Sequence, residues 1–139
     1  MAIASAICNT FKADVLNAVH LPSDVYKIAL YTSSADLGAH TETYTMAGEV
    51  SGEGYSSGGA VLTGRRLVVD GGVAIIDWSD DPTWRESTIK ASGALIYNAT
   101  RGNRAIAVCD FGSEITSTAG PFTVELPEPT AKTGLVRIG

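Results

Sequence analysis

The chain has 139 residues, 15 glycines and a net charge of −5. A length of this order is typical of one domain that buries roughly two thirds of its unfolded surface, so we expect a single domain over residues 1–139. The negative charge argues against nucleic acid as a partner, because phosphate contacts need clustered Lys and Arg. A membrane partner is not expected either, since no apolar run approaches the roughly 20 residues of a spanning helix.

The two cysteines indicate the compartment in which the chain folds. Cys8 and Cys109 are too few for a disulfide framework, which fits folding in a reducing compartment. The first seven residues are apolar but have no basic segment before them, so we expect no signal peptide.

The N-terminal part of the chain has the periodicity of a helix. Ile7, Phe11 and Val15 recur at every fourth position, which predicts one amphipathic helix at about residues 4–19. Pro22 disfavours helical backbone in the residue before it, so the helix should end there. Residues 25–32 then alternate between apolar and polar positions and predict a strand.

Residues 33–60 are rich in Gly, Ser and Thr and show no sustained period. Compact domains rarely contain loops of this length unless the loop has a function, so we interpret the segment as a long arm that docks on a partner. We expect such an arm to be mobile in isolation and to tolerate shortening. The alternative is that its apolar residues fold back onto the protein's own core.

The remaining residues predict a β-rich core formed by about residues 25–32 and 61–138. Strands at 61–69 and 73–78 flank Asp70-Gly71-Gly72, a strong hairpin signal, and Pro82 should then interrupt the sheet. A central hairpin joins residues 89–98 to 104–111 through a turn that contains Asn and Gly. Further strands are expected at 122–126 and 135–138.

These elements together predict a mainly β (α+β) fold. We expect an antiparallel β-sandwich or a partly open barrel, with one N-terminal helix and a long Gly/Ser-rich arm.

One motif suggests hydrolase chemistry. Residues 54–58, GYSSG, match the G-x-S-x-G nucleophile elbow, which works only where a strand enters the turn and a helix leaves it. Neither element is predicted here, and His20 and His40 both precede Ser56, whereas that fold places its histidine after the serine. We therefore expect no catalytic residues and no enzyme activity.

Binding motifs for cofactors and metals are also incomplete. The glycines at 52–58 are one residue too widely spaced for a dinucleotide fingerprint. Asp77, Asp80 and Asp81 are not followed by the closing glutamate of a calcium loop, and the histidines and cysteines lack zinc spacing. We expect neither a cofactor nor a metal.

Several segments together resemble a family of small structural proteins encoded by tailed bacteriophages. The resemblance rests first on YKIALYT at 26–32, GEVSGEGY at 48–55 and GALIYN at 93–98. It extends over most of the chain through shorter matches at Phe11-Lys12, Asn103-Arg104-Ala105, Asp110-Phe111-Gly112, Phe122-Thr123-Val124 and Val136-Arg137-Ile138.

This resemblance implies a virion protein, in the first place a head decoration or cement protein. Its expected partners are the major capsid protein or other virion proteins, with self-association into oligomers on the particle. Its expected location is the phage head, after folding in the cytoplasm of the bacterial host. A tail or fibre component is the main alternative, and a small phage-encoded enzyme is a third. For the interface we select Tyr44, Met46, Glu49 and Tyr55, because spaced tyrosines supply contact area at low entropic cost.

Overall fold

The computed structural model describes residues 2–130 and 132–138. Met1, Ala131 and Gly139 of the expected domain lie outside the described residues. Strands account for 49% of the structure and helix for 6%. The elements are, in chain order, β1 (Ala6–Ile7), α1 (Asn9–Leu16), β2 (Tyr26–Tyr31), β3 (Ala60–Val61), β4 (Arg65–Asp70), β5 (Val73–Trp78), β6 (Thr83–Asn98), β7 (Arg104–Thr123) and β8 (Val136–Ile138).

The strands form two antiparallel sheets. The larger sheet has the order β1-β7-β6-β2-β3, and the smaller has the order β4-β5-β8. The larger sheet ends at β1 on one side and β3 on the other, so it does not close into a barrel. The predicted mainly β class, with antiparallel sheets and one short helix, is confirmed.

The central hairpin is present and is longer than predicted. β6 and β7 pair from Asn98 opposite Arg104 down to Thr83 opposite Thr123. In the connecting loop Gly102 and Asn103 have positive φ values of 64° and 59°, which these two residue types tolerate best.

Register shifts explain why the outer half of this hairpin was not predicted. The pairing is irregular between Trp84 and Ser87 and again between Ser87 and Ile89, so the apolar alternation breaks there. The hydroxyl groups of Ser87 and Ser117 lie 2.8 Å apart within the irregular region. Phe122 belongs to β7, and the separate strand predicted at 122–126 is not formed.

The core lies on β2 and the inner half of the hairpin. β2 pairs with β6 along its whole length, from Tyr26 opposite Asn98 to Tyr31 opposite Gly93. Trp78 of β5 joins the same core, with its ring 5.6 Å from that of Tyr26. The largest fully buried side chains are Trp78, Tyr31, Phe11, Ile28, Leu30, Leu37, Ile75, Ile89, Leu95, Ile96, Ile106 and Val136.

The helix is shorter than the predicted 4–19. At its start, Ala6 and Ile7 pair with β7 as strand β1, so the helix begins only at Asn9. At its end, the Val19 N–H donates to Asp14 O at 3.0 Å and the Ala18 N–H donates to Val15 O at 3.2 Å. These two bonds form a Schellman motif, in which Ala18 occupies the left-handed position with φ 54°.

The left-handed conformation of Ala18 predicts a stabilising substitution. Because glycine adopts this conformation without a Cβ penalty, Ala18→Gly is expected to raise the free energy of unfolding by about 1 kcal/mol. The matched control is Ala13→Gly inside the same helix, which is expected to lower it by about 1 kcal/mol. Urea unfolding of the two variants tests the difference, and two effects of equal sign would contradict it.

The hairpin of β4 and β5 is confirmed. Asp70 pairs with Val73 across a two-residue turn in which Gly71 and Gly72 both have positive φ. This is the type I′ geometry that an Asp-Gly-Gly sequence favours. The strand before the turn begins at Arg65, later than the predicted residue 61, because residues 60–61 pair separately with β2 as β3.

Candidate functional site

Residues 33–60 run along the edge of β2 that β6 leaves open. The Thr32 N–H donates to Gly48 O at 2.8 Å, and the Val50 N–H donates to Leu30 O at 3.0 Å. β3 then pairs with the first half of β2. The segment therefore occupies backbone groups that would otherwise form an exposed strand edge.

Part of this segment belongs to the hydrophobic core. Ala35, Leu37 and Val50 are buried and pack in the same cluster as β2 and β6. We predicted an arm that could be shortened without loss of the fold, and the burial of these side chains argues against that. Of the two sequence interpretations, folding back onto the core describes these residues, and shortening between Leu37 and Gly58 should destabilise the protein.

The Glu49 carboxylate accepts three hydrogen bonds from residues of this segment. The Tyr44 hydroxyl donates to its Oε1 at 2.6 Å, and the Tyr55 hydroxyl donates to its Oε2 at 2.6 Å. The Gly58 N–H donates to the same Oε2 at 2.9 Å. Burial, together with these bonds to Glu49, raises the pKa of both tyrosines well above the usual range, so both hydroxyls remain protonated donors.

Aromatic contacts fix the same residues against β6. The rings of Tyr44 and Tyr97 stack with centroids 4.8 Å apart, and the ring of Tyr55 lies 5.8 Å from that of Trp84. The Tyr97 hydroxyl donates to Gly58 O at 2.6 Å. The turn at residues 44–58 is thus held on the sheet by rings and by one carboxylate.

The four predicted interface residues have two different environments. Tyr44, Glu49 and Tyr55 are brought together, half-buried, and directed at one another. Met46 lies at the outside of the turn with 66% of its surface exposed. The structure therefore assigns three of the four to holding the turn in place and leaves Met46 available for contact. Sequence spacing gave no sign of the three-residue cluster.

Removing the Tyr55 hydroxyl tests this cluster. That oxygen accepts the Leu30 N–H at 3.0 Å while donating to Glu49 Oε2. Tyr55→Phe therefore leaves the Leu30 N–H without its acceptor and removes one of the three hydrogen bonds to Glu49, whose Oε2 keeps the Gly58 N–H. We expect the free energy of unfolding to fall by about 1–3 kcal/mol. Met46→Ala is the control and should stay within about 0.5 kcal/mol of wild type. Equal melting curves for the two variants would show that the cluster adds no stability.

A second polar cluster lies at the tip of the central hairpin. Arg104 binds Asp14 of α1 through two hydrogen bonds, Nε to Oδ2 at 2.6 Å and Nη2 to Oδ1 at 2.7 Å. Arg101 binds Asp24 in the same way at 2.9 and 3.0 Å. The arginine beside each carboxylate lowers the pKa of Asp14 and of Asp24 below the usual range. The two pairs tie residues 9–24 to the hairpin.

Asn98 and His20 lie between these ion pairs. Asn98 is fully buried, and its amide nitrogen donates both to Asp24 Oδ2 at 2.8 Å and to His20 Nδ1 at 2.9 Å. His20 Nδ1 must then be an acceptor, which places the ring proton on Nε2, 3.3 Å from Asp14 Oδ2. A second proton on the ring would oppose the Asn98 donor, and burial lowers the pKa of His20.

This arrangement predicts a loss of stability in mild acid. The unfolded chain binds a proton at the ordinary histidine pKa of 6.5, whereas the fold binds it only at lower pH. The contribution of His20 to stability is therefore complete above pH 6.5 and is lost as the pH falls from 6.5 towards the lowered pKa, at no more than about 1.4 kcal/mol per pH unit. The contributions of Asp14 and Asp24 are lost only below the usual carboxyl pKa of 3.8.

The measurement is the free energy of unfolding in urea between pH 5 and pH 8. His20→Gln removes the titrating ring and should flatten the curve between pH 5 and pH 6.5. A variant with the same pH dependence as wild type would assign the effect to another group.

The G-x-S-x-G match places Ser56 in an exposed turn, and the two histidines contact other residues. Ser56 is exposed in a turn whose Gly59 N–H donates to Ser56 O at 3.0 Å. His20 contacts Asp14 and Asn98, and His40 lies 3.3 Å from Asp36 on the surface. Among the described residues, no strand leads into the serine turn and no helix follows it. The strand-turn-helix arrangement of a nucleophile elbow is therefore not formed at Ser56.

The two cysteines lie in surroundings that disfavour the thiolate form. Cys8 and Cys109 are both free thiols, and burial raises the pKa of each to about 11. Thiols with a raised pKa are poor nucleophiles at neutral pH. Among residues 2–130 and 132–138, no three His, Cys, Asp or Glu side chains come together as a group that could hold a metal ion.

Across the same described ranges, no helix has the length and apolar character required to cross a membrane. No protein-family model, curated protein or solved structure matches the chain significantly.

Proposed function

We propose that the protein is a structural component of a tailed-bacteriophage virion, most specifically a head decoration protein that binds the major capsid protein and stabilises the shell. It folds in the host cytoplasm and adds to the head in many copies. Modest contacts at each copy suffice for this role, because the copies act together on one particle.

The observation that carries the proposal is the spatial arrangement of the three segments that resemble the phage family. Residues 26–31 form β2, and residues 93–98 are the part of β6 that pairs with it. Residues 48–50 lie along the end of β2, where Tyr31 bridges to Glu49. Segments far apart in sequence thus meet in one unit at the centre of the larger sheet, as we expect if the resemblance lies in the core of the fold.

The finer architecture is part of the same proposal. We infer a β-sandwich or partly open barrel, with α1 on its surface and residues 33–60 as an extended segment. The support is that Trp78 and Val136 of the smaller sheet share one core with β2 and β6 of the larger.

The proposed contact with the capsid includes Met46. The cluster around Glu49 holds the turn rigidly, so an exposed methionine at its outer end can bury apolar surface on a neighbour at little entropic cost. Tyr44, Glu49 and Tyr55 remain in the proposal as residues that position this turn.

An add-back experiment tests the role. Phage heads made without this protein are mixed with the purified chain, and the temperature at which the heads release DNA is measured. A decoration protein should bind the heads and raise that temperature. Met46→Asp should bind more weakly, while Ile115→Asp, at a residue that is also partly exposed on β7, should bind as wild type does.

Two outcomes would count against the proposal. Heads that do not bind the purified chain would contradict a decoration role. Binding confined to tails would favour the alternative, a tail or fibre component.

A further inference from the structure

Strand β4 has one edge that is not paired with another strand of the described residues. Among the described residues it is paired only with β5, and it forms one edge of the smaller sheet. Leu67 and Val69 are 61% and 70% exposed, and they lie two positions apart on this six-residue strand, so their side chains share one face. Exposed apolar strand edges tend to pair with another chain unless charge or a covering element prevents it.

The hairpin geometry determines which backbone groups face outward. Asp70 and Val73 flank a two-residue turn, so they form a hydrogen-bonded pair. Hydrogen-bonded and non-bonded pairs alternate along an antiparallel ladder, so Val68 and Arg66 also bond to β5. Leu67 and Val69 therefore direct their N–H and C=O groups to the open side.

The sequence of β4 complements itself in one antiparallel register. In this register Val68 of one copy lies opposite Val68 of the other. Leu67 of each copy then lies opposite Val69 of the other, and Arg66 of each copy lies opposite Asp70 of the other. Leu67 and Val69 then exchange four backbone hydrogen bonds, because these are the residues whose groups point outward. Arg66 already bonds Asp77 at 2.8 Å and keeps 52% of its side chain exposed, so it can also face a carboxylate of the second copy.

We propose that a second copy of this chain pairs with β4 about a two-fold axis at Val68, joining the two smaller sheets into one six-stranded antiparallel sheet. The interface is isologous, as a two-fold axis requires, and its two Arg66–Asp70 pairs set the register. Shifting the register by two residues would place Arg66 opposite Val68 and lose both charge pairs.

The surface beside β4 extends the apolar contact. Leu67 and Ile138 line a cavity of about 240 Å³ between α1 and the smaller sheet, together with Val15 of α1. Ile138 and Val15 are themselves partly exposed. In the paired form, Leu67 and Val69 from both copies lie side by side on this face, so the second copy removes contiguous apolar surface from water.

As a form of the self-association proposed above, this pairing rests on the proposed function, although its contacts involve β4 alone. An edge pairing of five residues is a small interface, so we expect weak dimers of the isolated protein that become significant when copies are concentrated. The test therefore uses purified protein without phage, and its failure would leave the add-back result unaffected.

Sedimentation equilibrium from micromolar to millimolar concentration is the first measurement. Wild type should show a monomer–dimer equilibrium. Val69→Lys, which puts like charge into the apolar pairing, should weaken association at least tenfold. Val61→Lys is the matched control, because Val61 is also an exposed valine on an edge strand, β3, and it should dimerise as wild type does. Melting curves establish that both variants are folded.

A cross-link tests the register. Residues that face each other in a non-hydrogen-bonded pair have Cα atoms about 4.5 Å apart, within disulfide range. Val68→Cys should therefore form a covalent dimer on mild oxidation, whereas Val61→Cys should not. A wild-type protein that stays monomeric at millimolar concentration, a Val69→Lys variant that dimerises normally, or a Val68→Cys variant that does not cross-link would each overturn the proposal.

Discussion

Replacing Arg104 with methionine is expected to lower the free energy of unfolding by about 1–3 kcal/mol. The side chain of Asp14 is only 3% exposed and takes its two shortest hydrogen bonds from this guanidinium. Removing Arg104 leaves the buried carboxylate with His20 Nε2, 3.3 Å away, as its remaining polar neighbour, and Arg104 itself is 43% exposed, so water can replace part of the lost interaction. The loss should also release α1 from the hairpin, since Asp14 is the buried polar residue of that helix.

The double variant Asp14→Asn, Arg104→Met is the control for this interpretation. It removes the unpaired charge and should recover part of the stability lost by the single variant. Chemical denaturation at pH 7 gives both values. A single variant within 1 kcal/mol of wild type would mean that Asp14 is solvated or protonated when Arg104 is absent.

Truncation of the central hairpin's core is the second large effect. Leu95→Ala and Ile106→Ala should each cost about 2–5 kcal/mol, because both side chains are fully buried and the surrounding sheet can close the cavity only partly. Ile115→Ala, on the exposed outer half of β7, is the matched control and should cost less than about 0.5 kcal/mol. Similar midpoints in urea for Leu95→Ala and Ile115→Ala would contradict the assigned core.

The stability of the protein should also be sensitive to a larger side chain inside this hairpin. Ala107 is buried and lies between Ile96 of β6 and Ile7 of β1 in the sheet. Helix α1 contacts β7, as we expected from the small side chains of this strand. A larger side chain at Ala107 should therefore destabilise the protein as well, by about 1–3 kcal/mol.

Local patterns predicted those parts of the fold that local sequence controls. The two hairpin turns followed from Asp70-Gly71-Gly72 and from the Gly-Asn pair at 102–103, since few residues tolerate positive φ. β2 followed from alternation. The outer half of β6 and β7 was missed because bulges interrupt the period of two on which the prediction depends.

The end of α1 and the two polar clusters could not be predicted from the spacing of residues along the sequence. Ala18 ends α1 in a position where glycine would have been the signal. Asp14 and Arg104 are 90 residues apart, and their pairing follows from the tertiary fold. Tyr44, Glu49 and Tyr55 were selected as surface anchors, yet their polar atoms bind one another. Only the exposed Met46 keeps the environment that an interface residue needs.

We propose that the protein is a structural part of the phage head, and its copy number in purified virions is the decisive quantity. Quantitative mass spectrometry of purified particles, with the major capsid protein as the internal standard, gives the ratio of the two chains. A decoration protein is predicted to be present in hundreds of copies, in a simple ratio to the capsid protein. A few copies per particle, or none, would contradict a decoration role.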